Sequence, residues 1–306
     1  MIQKLRTYAL PIAMLAGFLA HDFAADIAFL TPYLLFAMLL VSYCKLDIRS
    51  LSITPMYALM LAVQFVGAWG VYFLVSFYDP VVAQGAFICL FCPTATSAPV
   101  VAAMLGGNLS LLVGYSLLCN LAVAVTAPLF FSFIGVHTEL AFLDSVLIIC
   151  KQVLPLLLLP LLLAVLMQRY LPRIHGAVRS RPAISFYLWV VALFIVVGKS
   201  VSFVMRQPLS SLPQEIALAL LALLCCVAQF VLGRRIGAHY GDKVSGAQGL
   251  GQKNTVLAIW MALTYLHPIA SIAPASYVIW QNIINSWQIM RNEKNLKHSL
   301  QKSRKF

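Results

Sequence analysis

Residues 246–255 read Gly-Ala-Gln-Gly-Leu-Gly-Gln-Lys-Asn-Thr and stand directly before the apolar run from Val256 to Leu266. A lysine at membrane depth costs roughly 2.5–3.5 kcal/mol on insertion scales, which makes Lys253 a candidate functional residue. Polar, irregular backbone is tolerated at that depth only where protein buries it or where it lines a watery cavity. The stretch therefore predicts an interrupted membrane helix with a functional site at the interruption.

The composition predicts an all-α integral membrane protein. Of the 306 residues, 62% are hydrophobic and 10% are charged, against about one quarter charged in soluble domains. The mean hydropathy is +0.91, and a chain of this length can hold about ten membrane helices. The net charge of +12 does not indicate a nucleic-acid ligand, because the basic residues fall in links and in the tail. The seven cysteines lack metal-ligand spacing, so we expect no metal site and no cofactor.

The hydropathy pattern predicts ten transmembrane helices. Their approximate bounds are 8–20, 27–44, 56–78, 86–105, 111–135, 144–168, 186–205, 214–233, 244–266 and 269–290. Lysine and arginine alternate from side to side along successive links, as ten spans with both termini in the cytoplasm require. Because the links are compact, we place this multi-pass chain in a bacterial inner membrane.

The ten spans divide into two five-helix repeats, residues 1–170 and 171–291, followed by a basic cytoplasmic tail at 292–306. An odd number of spans per repeat makes the second repeat enter the membrane upside down. The fourth span of each repeat is interrupted, around 92–99 in the first and around 246–254 in the second. A proline forces the first interruption, whereas three glycines only lower the cost of the second. Paired interruptions of this kind point to the binding site of a transporter.

Polar side chains stand where each helix resumes after its interruption. Thr96 and Ser97 precede the first resumed helix, and Asn254 and Thr255 precede the second. Their side chains can cap those helices or bind a ligand. The start of a helix carries roughly half a positive charge and binds anions, so two such starts beside Lys253 favour a small organic anion such as a carboxylate.

These motifs resemble the bile acid:sodium symporter family, within the larger group that includes arsenite and auxin-efflux carriers. Four places carry the resemblance, namely Gln64-Phe65, residues 92–97 with Gly107-Asn108, residues 251–258, and Trp280-Gln281-Asn282 with Asn285-Ser286. The resemblance implies a panel domain, a core domain and two crossing helices that meet the substrate during alternating access. It implies substrate contacts at Thr96 and Asn254, and it adds Gln281 and Asn282 as candidates.

The sequence departs from this family at positions that bind sodium in its sodium-coupled members. Gly249 stands where they have a glutamate, Lys253 where they have a glutamine, and Leu112 where they have a serine. Ala98 and Pro99 replace a serine and an asparagine. Hard cations need several oxygen ligands, so the sodium site that the resemblance implies is depleted here.

A hypothesis follows, in which the ammonium group of Lys253 takes the place of sodium. Gln64 is retained and Ser116 stands for a family threonine, so both are ion-coupling candidates together with Gln252. Transport would then be independent of sodium, and protonation of Lys253 could couple to it.

Several alternatives stay open. Backbone carbonyls at the breaks could still hold sodium, which leaves a sodium-coupled organic anion or bile acid symporter as the alternative function. An intramembrane enzyme would need a pair such as Ser97 with Lys253, and a channel would need a continuous polar pore. Lys253 could also reach an interface, and Gln64, Gln281 and Asn282 could bond neighbouring helices at about 1 kcal/mol each. A nucleotide-driven pump is excluded because no phosphate-binding loop occurs.

Overall fold

The computed structural model describes residues 12–44, 54–95, 97–135, 141–181 and 183–303. Within these ranges every regular element is a helix, so the predicted all-α fold is confirmed. Five helices of the described chain are long and apolar enough to cross a membrane, namely Pro55–Ser76, Leu109–Ile134, Phe142–Tyr170, Tyr187–Met205 and Leu209–His239. The chain therefore has the character of a multi-pass membrane protein.

The first half of the chain contains seven helices in its described part. They are α1 (residues 12–19), α2 (His21–Asp26), α3 (Thr31–Tyr43), α4 (Pro55–Ser76), α5 (Pro80–Phe91), α6 (Ala98–Met104) and α7 (Leu109–Ile134). A 3-10 turn, Ala28–Leu30, leads into α3. Asp79 begins α5 by accepting hydrogen bonds from the amides of Val81 and Val82 at 2.7 and 3.0 Å, which satisfies donors that the first helical turn leaves free.

The second half also contains seven helices in its described part. They are α8 (Phe142–Tyr170), α9 (Pro172–Arg179), α10 (Ala183–Met205), α11 (Leu212–His239), α12 (Lys243–Gly251), α13 (Thr255–Tyr265) and α14 (Ile272–Ser303). Asp242 caps α12 by accepting from the amide of Ser245 at 2.9 Å, as Asp79 does for α5. The short helix α9 occupies the link that joins the two predicted repeats, and α14 continues as a helix through most of the predicted tail at 292–306.

The helices pack as two groups that meet along their sides. In one group, α3 packs against α8 and α10, and α10 packs against α2. In the other, α11 packs against α5, α12 and α14, and α4 packs against α5. The first group also contacts α7 through α8 and α13 through α10, and these two contacts join it to the rest of the bundle. The core is continuous across both, because buried apolar side chains from each group belong to one cluster.

Residues 246–251 are helical, although the sequence predicted an interruption from residue 246 onward. A Cβ atom on Gly246 would collide with the carbonyl oxygen of Gly233 and would lie 2.7 Å from the Cα of Gly237. These glycines let α11 and α12 approach closely, which is the usual use of small residues between membrane helices. The predicted interruption at 246–254 is therefore corrected to residues 252–254.

Candidate functional site

The two interruptions pair with one another through their backbones. The chain leaves the helix after Phe91 and resumes it at Ala98, so the first interruption matches the predicted 92–99 closely. The amide of Ala95 donates to the carbonyl of Gln252 at 2.8 Å, and the amide of Asn254 donates to the carbonyl of Pro93 at 2.8 Å. The pairing satisfies backbone groups that two broken helices would otherwise leave unbonded in the interior.

The pairing places Thr94 and Lys253 directly opposite each other in an antiparallel bridge. The Thr94 hydroxyl donates to the carbonyl of Gly249 at 2.6 Å, which ties the first interruption to the end of α12. The amide of Lys253 donates to Oε1 of Gln281 at 3.0 Å, so α14 holds the second interruption from the other side. Gln281 is thus brought to the site as predicted, and it contacts the backbone there.

The side chain of Lys253 is buried, with 1% of the residue exposed. Its Nζ donates to the carbonyl oxygen of Leu90 at 2.9 Å. The thiols of Cys89, Cys92 and Cys119 lie near enough to interact with it electrostatically. Among the described residues, ion pairs join only Asp22 to His21 and to Arg206, so Lys253 has no acidic partner in that part of the chain. Its position is interior, and it does not reach an interface.

Gln64 fixes the first interruption to α4 and α7. Its Nε2 donates to the carbonyls of Phe91 at 2.7 Å and Cys92 at 3.3 Å, where α5 ends. Its Oε1 accepts from the hydroxyl of Tyr115 at 3.2 Å and from the thiol of Cys119 at 3.3 Å. The amide group is therefore fully engaged by protein groups in this state.

Ser97 and Gln252 lie together, whereas Asn254 caps its helix. Nε2 of Gln252 donates to the Ser97 hydroxyl at 2.9 Å. Oδ1 of Asn254 accepts from the amide of Leu257 at 3.2 Å, so this side chain follows the capping alternative. Ser97 and Lys253 thus hydrogen-bond to different partners, and the structure shows no serine–lysine pair between these two residues.

Two buried oxygens at the second interruption have no hydrogen-bond partner. They are Oε1 of Gln252 and Oγ1 of Thr255, and a third, Oε1 of Gln248, lies one turn before Gln252 on α12. A buried acceptor without a partner costs about 1–3 kcal/mol, so these atoms mark places where a ligand or water would bind favourably. Thr255 thus lies at the start of α13 with its hydroxyl oxygen unpartnered, and its role in binding stays a prediction.

The remaining candidates lie apart or cannot be placed. Thr96 lies outside the described residues. Asn282 bonds back along its own helix to the carbonyl of Val278 at 2.7 Å. The backbone carbonyl of Ser116 accepts from Nδ2 of Asn120 at 2.7 Å, one turn further along α7. These hydrogen bonds do not connect Asn282 or Ser116 to the paired interruptions.

Sequence reasoning missed a buried polar layer that supports the site. Gln229 donates to the carbonyl of Cys89 at 3.2 Å and to the hydroxyl of Tyr277 at 3.0 Å. Tyr277 in turn donates to the carbonyl of Gly251 at 2.8 Å, the last residue of α12. Gln248 donates to Oδ1 of Asn285 at 3.1 Å. The sequence feature that could have identified these residues is a polar side chain inside an apolar run.

No group of three or more histidine, cysteine or acidic side chains in the described ranges is arranged to hold a metal ion. No protein family model matches the sequence, and no curated protein matches it.

Proposed function

We propose that the protein is a secondary active transporter of a small organic anion, which binds at the paired interruptions and uses Lys253 as its fixed positive charge. The observation that carries the proposal is the burial of Lys253 without an acidic partner in the described chain. Charged residues inside membrane segments are costly and are retained for ion or substrate pathways.

The chemistry of an ammonium group supports an anionic ligand. The group has three donors, and the carbonyl of Leu90 takes one of them. A buried charge without a partner is strongly unfavourable, and an arriving carboxylate would supply both the missing charge and acceptors. Lys253 would thereby replace sodium, and gain or loss of its proton would couple to transport.

The order of elements supports a repeated architecture. Asp79 caps α5 and Asp242 caps α12, and each of these helices leads into an interruption and a short resumed helix. We propose that the chain forms ten spans in two inverted five-helix repeats, with a panel domain of α1–α3 and α8–α10 beside a core of the other helices. Such folds work by alternating access around a site between the repeats.

The resemblance in the motifs extends the proposal. We infer a divergent member of the bile acid:sodium symporter family, placed in a bacterial inner membrane with both termini in the cytoplasm. Neither an enzyme activity nor a cofactor enters this proposal, and its partners are the organic anion, the coupling proton and the lipid bilayer.

The proposal is tested by the thermal stability of the purified protein against a panel of organic acids, with and without sodium, in wild type and in Lys253→Gln. A ligand that binds the folded state raises the melting temperature by mass action. We expect a carboxylate to stabilise the wild type without sodium and to lose this effect in the variant. Sodium-dependent stabilisation that survives the substitution would refute the proposal.

A sodium-coupled symporter is the second candidate, because of the unpartnered oxygens of Gln248, Gln252 and Thr255. Oxygen atoms are the ligands that hard cations prefer. Against it, the carbonyls of Pro93, Gln252 and Gly249 already accept hydrogen bonds within the protein. Sodium dependence would separate the two candidates, because only a sodium-coupled symporter should need sodium for a carboxylate to stabilise the wild type.

A further inference from the structure

A cavity lies between the link before α3, α10 and α13, away from the paired interruptions. It has a volume of about 340 Å³. This volume is at the lower end of the range for small-molecule sites. Trp260 in its wall stands seven residues beyond Lys253, roughly 10 Å along α13 at the helical rise per residue.

Two opposite charges line this cavity without pairing to each other. Asp26 and Lys199 are both exposed, and the ion pairs of the described chain, formed at Asp22, include neither of them. Asp22 is engaged elsewhere, since it accepts hydrogen bonds from Ser202 at 3.2 Å and from Arg206 at 3.4 Å. Asp26 and Lys199 are therefore an acid and a base that line the same cavity without an ion pair in the described chain.

The helices that carry these two charges, α2 and α10, pack against each other. A Cβ atom on Gly198 would collide with the side chain of Ala24, so the helices touch beside the cavity. Lys199 follows Gly198 on α10, and Asp26 lies two residues beyond Ala24. The two charges are therefore carried by helices that contact each other beside the cavity.

The lining selects one kind of ligand. A simple anion would be repelled by Asp26, and a simple cation by Lys199. Phe29, Val196 and Trp260 add apolar wall, and the indole face can also receive an ammonium group. We propose that this cavity binds a zwitterion whose ammonium group faces Asp26 and whose anionic group faces Lys199, with an apolar portion on the aromatic wall.

Two sources carry this chemistry, a free amino acid and a phosphatidylethanolamine headgroup. The inference is independent of the transport proposal, because it uses none of the residues at the interruptions. Binding of leucine is compared with 4-methylpentanoate and 3-methylbutylamine, which each lack one of its charges. In parallel, melting temperature is compared in nanodiscs with and without phosphatidylethanolamine.

In Lys253→Gln, which lacks the fixed charge of the proposed transport site, we expect leucine or phosphatidylethanolamine to stabilise the protein and the singly charged compounds to fail. Asp26→Asn and Lys199→Gln should each weaken the response about tenfold, as loss of a charge-assisted hydrogen bond does. Exchange of the two charges, Asp26→Lys with Lys199→Asp, should restore part of it. Lys151→Gln, an exposed lysine on α8, is the matched control.

Lys253→Gln should leave the response to zwitterions the same as in the wild type. A failure of the cavity proposal can therefore be told apart from a failure of the transport proposal. Equal binding of 4-methylpentanoate and leucine to Lys253→Gln would overturn the inference. So would the absence of any response to both leucine and phosphatidylethanolamine, or a response that survives both single substitutions.

Discussion

Nζ of Lys253 lies 2.9 Å from the carbonyl oxygen of Leu90, although the two residues are 163 positions apart in the chain. The contact joins the second interruption to the last turn of α5. It leaves the ammonium group with donors to spare in a buried place. Both the charge and its spare donors would be satisfied by an anionic ligand.

Replacement of Lys253 with methionine should leave the protein folded and remove its response to anions. Methionine keeps the apolar stem and removes a buried charge without an acidic partner, so we expect the free energy of unfolding to change by no more than about 1–2 kcal/mol. Thermal unfolding in detergent measures this change. Lys243→Met, an exposed lysine at the start of α12, is the control. A loss above about 3 kcal/mol would instead identify Lys253 as a structural link to Leu90.

Replacement of Gly246 with alanine should destabilise the protein. The new Cβ would collide with the carbonyl of Gly233, and backbone atoms cannot move away as a flexible side chain can. We expect a loss of about 1–3 kcal/mol, as for other overpacked sites, measured by thermal unfolding. Gly67→Ala on α4 is the control, because nothing lies within 4 Å of its added Cβ. Equal melting temperatures for the two variants would contradict this account of the α11–α12 contact.

Replacement of Gln64 with leucine should weaken the first interruption. The substitution removes the donor to the carbonyls of Phe91 and Cys92 in a buried position. An acceptor left unbonded there costs about 1–3 kcal/mol, which denaturant unfolding can measure. Gln207→Leu serves for comparison, since Gln207 is partly exposed just after the end of α10 and its side chain donates back to the carbonyl of Phe203 at 3.4 Å. If both variants unfold alike, Gln64 is not needed to hold the break.

The link between α11 and α12 should make stability depend on pH. Partial burial acts to raise the pKa of Asp242, but hydrogen bonds from Ser245 and from the amide of Asn108 outweigh it and hold the pKa below its usual value. A lowered folded pKa gives stability that is complete above the unfolded pKa of about 4. That stability is lost as the pH falls through the folded pKa.

The comparison is the melting temperature of wild type and Asp242→Asn between about pH 7 and pH 3. We expect the wild type to be more stable at neutral pH and the difference to shrink below about pH 4. Asn can still cap α12, so loss of the cap contributes little to the difference. A difference that stays constant with pH would show that the charge of Asp242 does not contribute.

The sequence marked the candidate site because a charge in an apolar run is rare enough to stand out. Lys253, the polar residues around it and the proline-bounded stretch at 92–99 all break hydropathy patterns that are local in the chain. The all-α fold follows from the same property. The ten-span repeat and the transport function stay proposals.

The sequence could not show how the two interruptions are held together. The partners of Gln64 and Lys253 are backbone carbonyls, and every residue has one, so no residue type marks them. Glycines gave an ambiguous signal too, since Gly246 serves a close helix contact rather than a break.

The sequence by itself therefore determined a helical membrane protein with a polar, lysine-bearing interruption, because hydropathy is read along the chain. Only the tertiary structure decided that Thr94 lies opposite Lys253, and that Asp26 and Lys199 share one cavity. These pairings depend on the close packing of helices that are distant in sequence, which local composition does not encode.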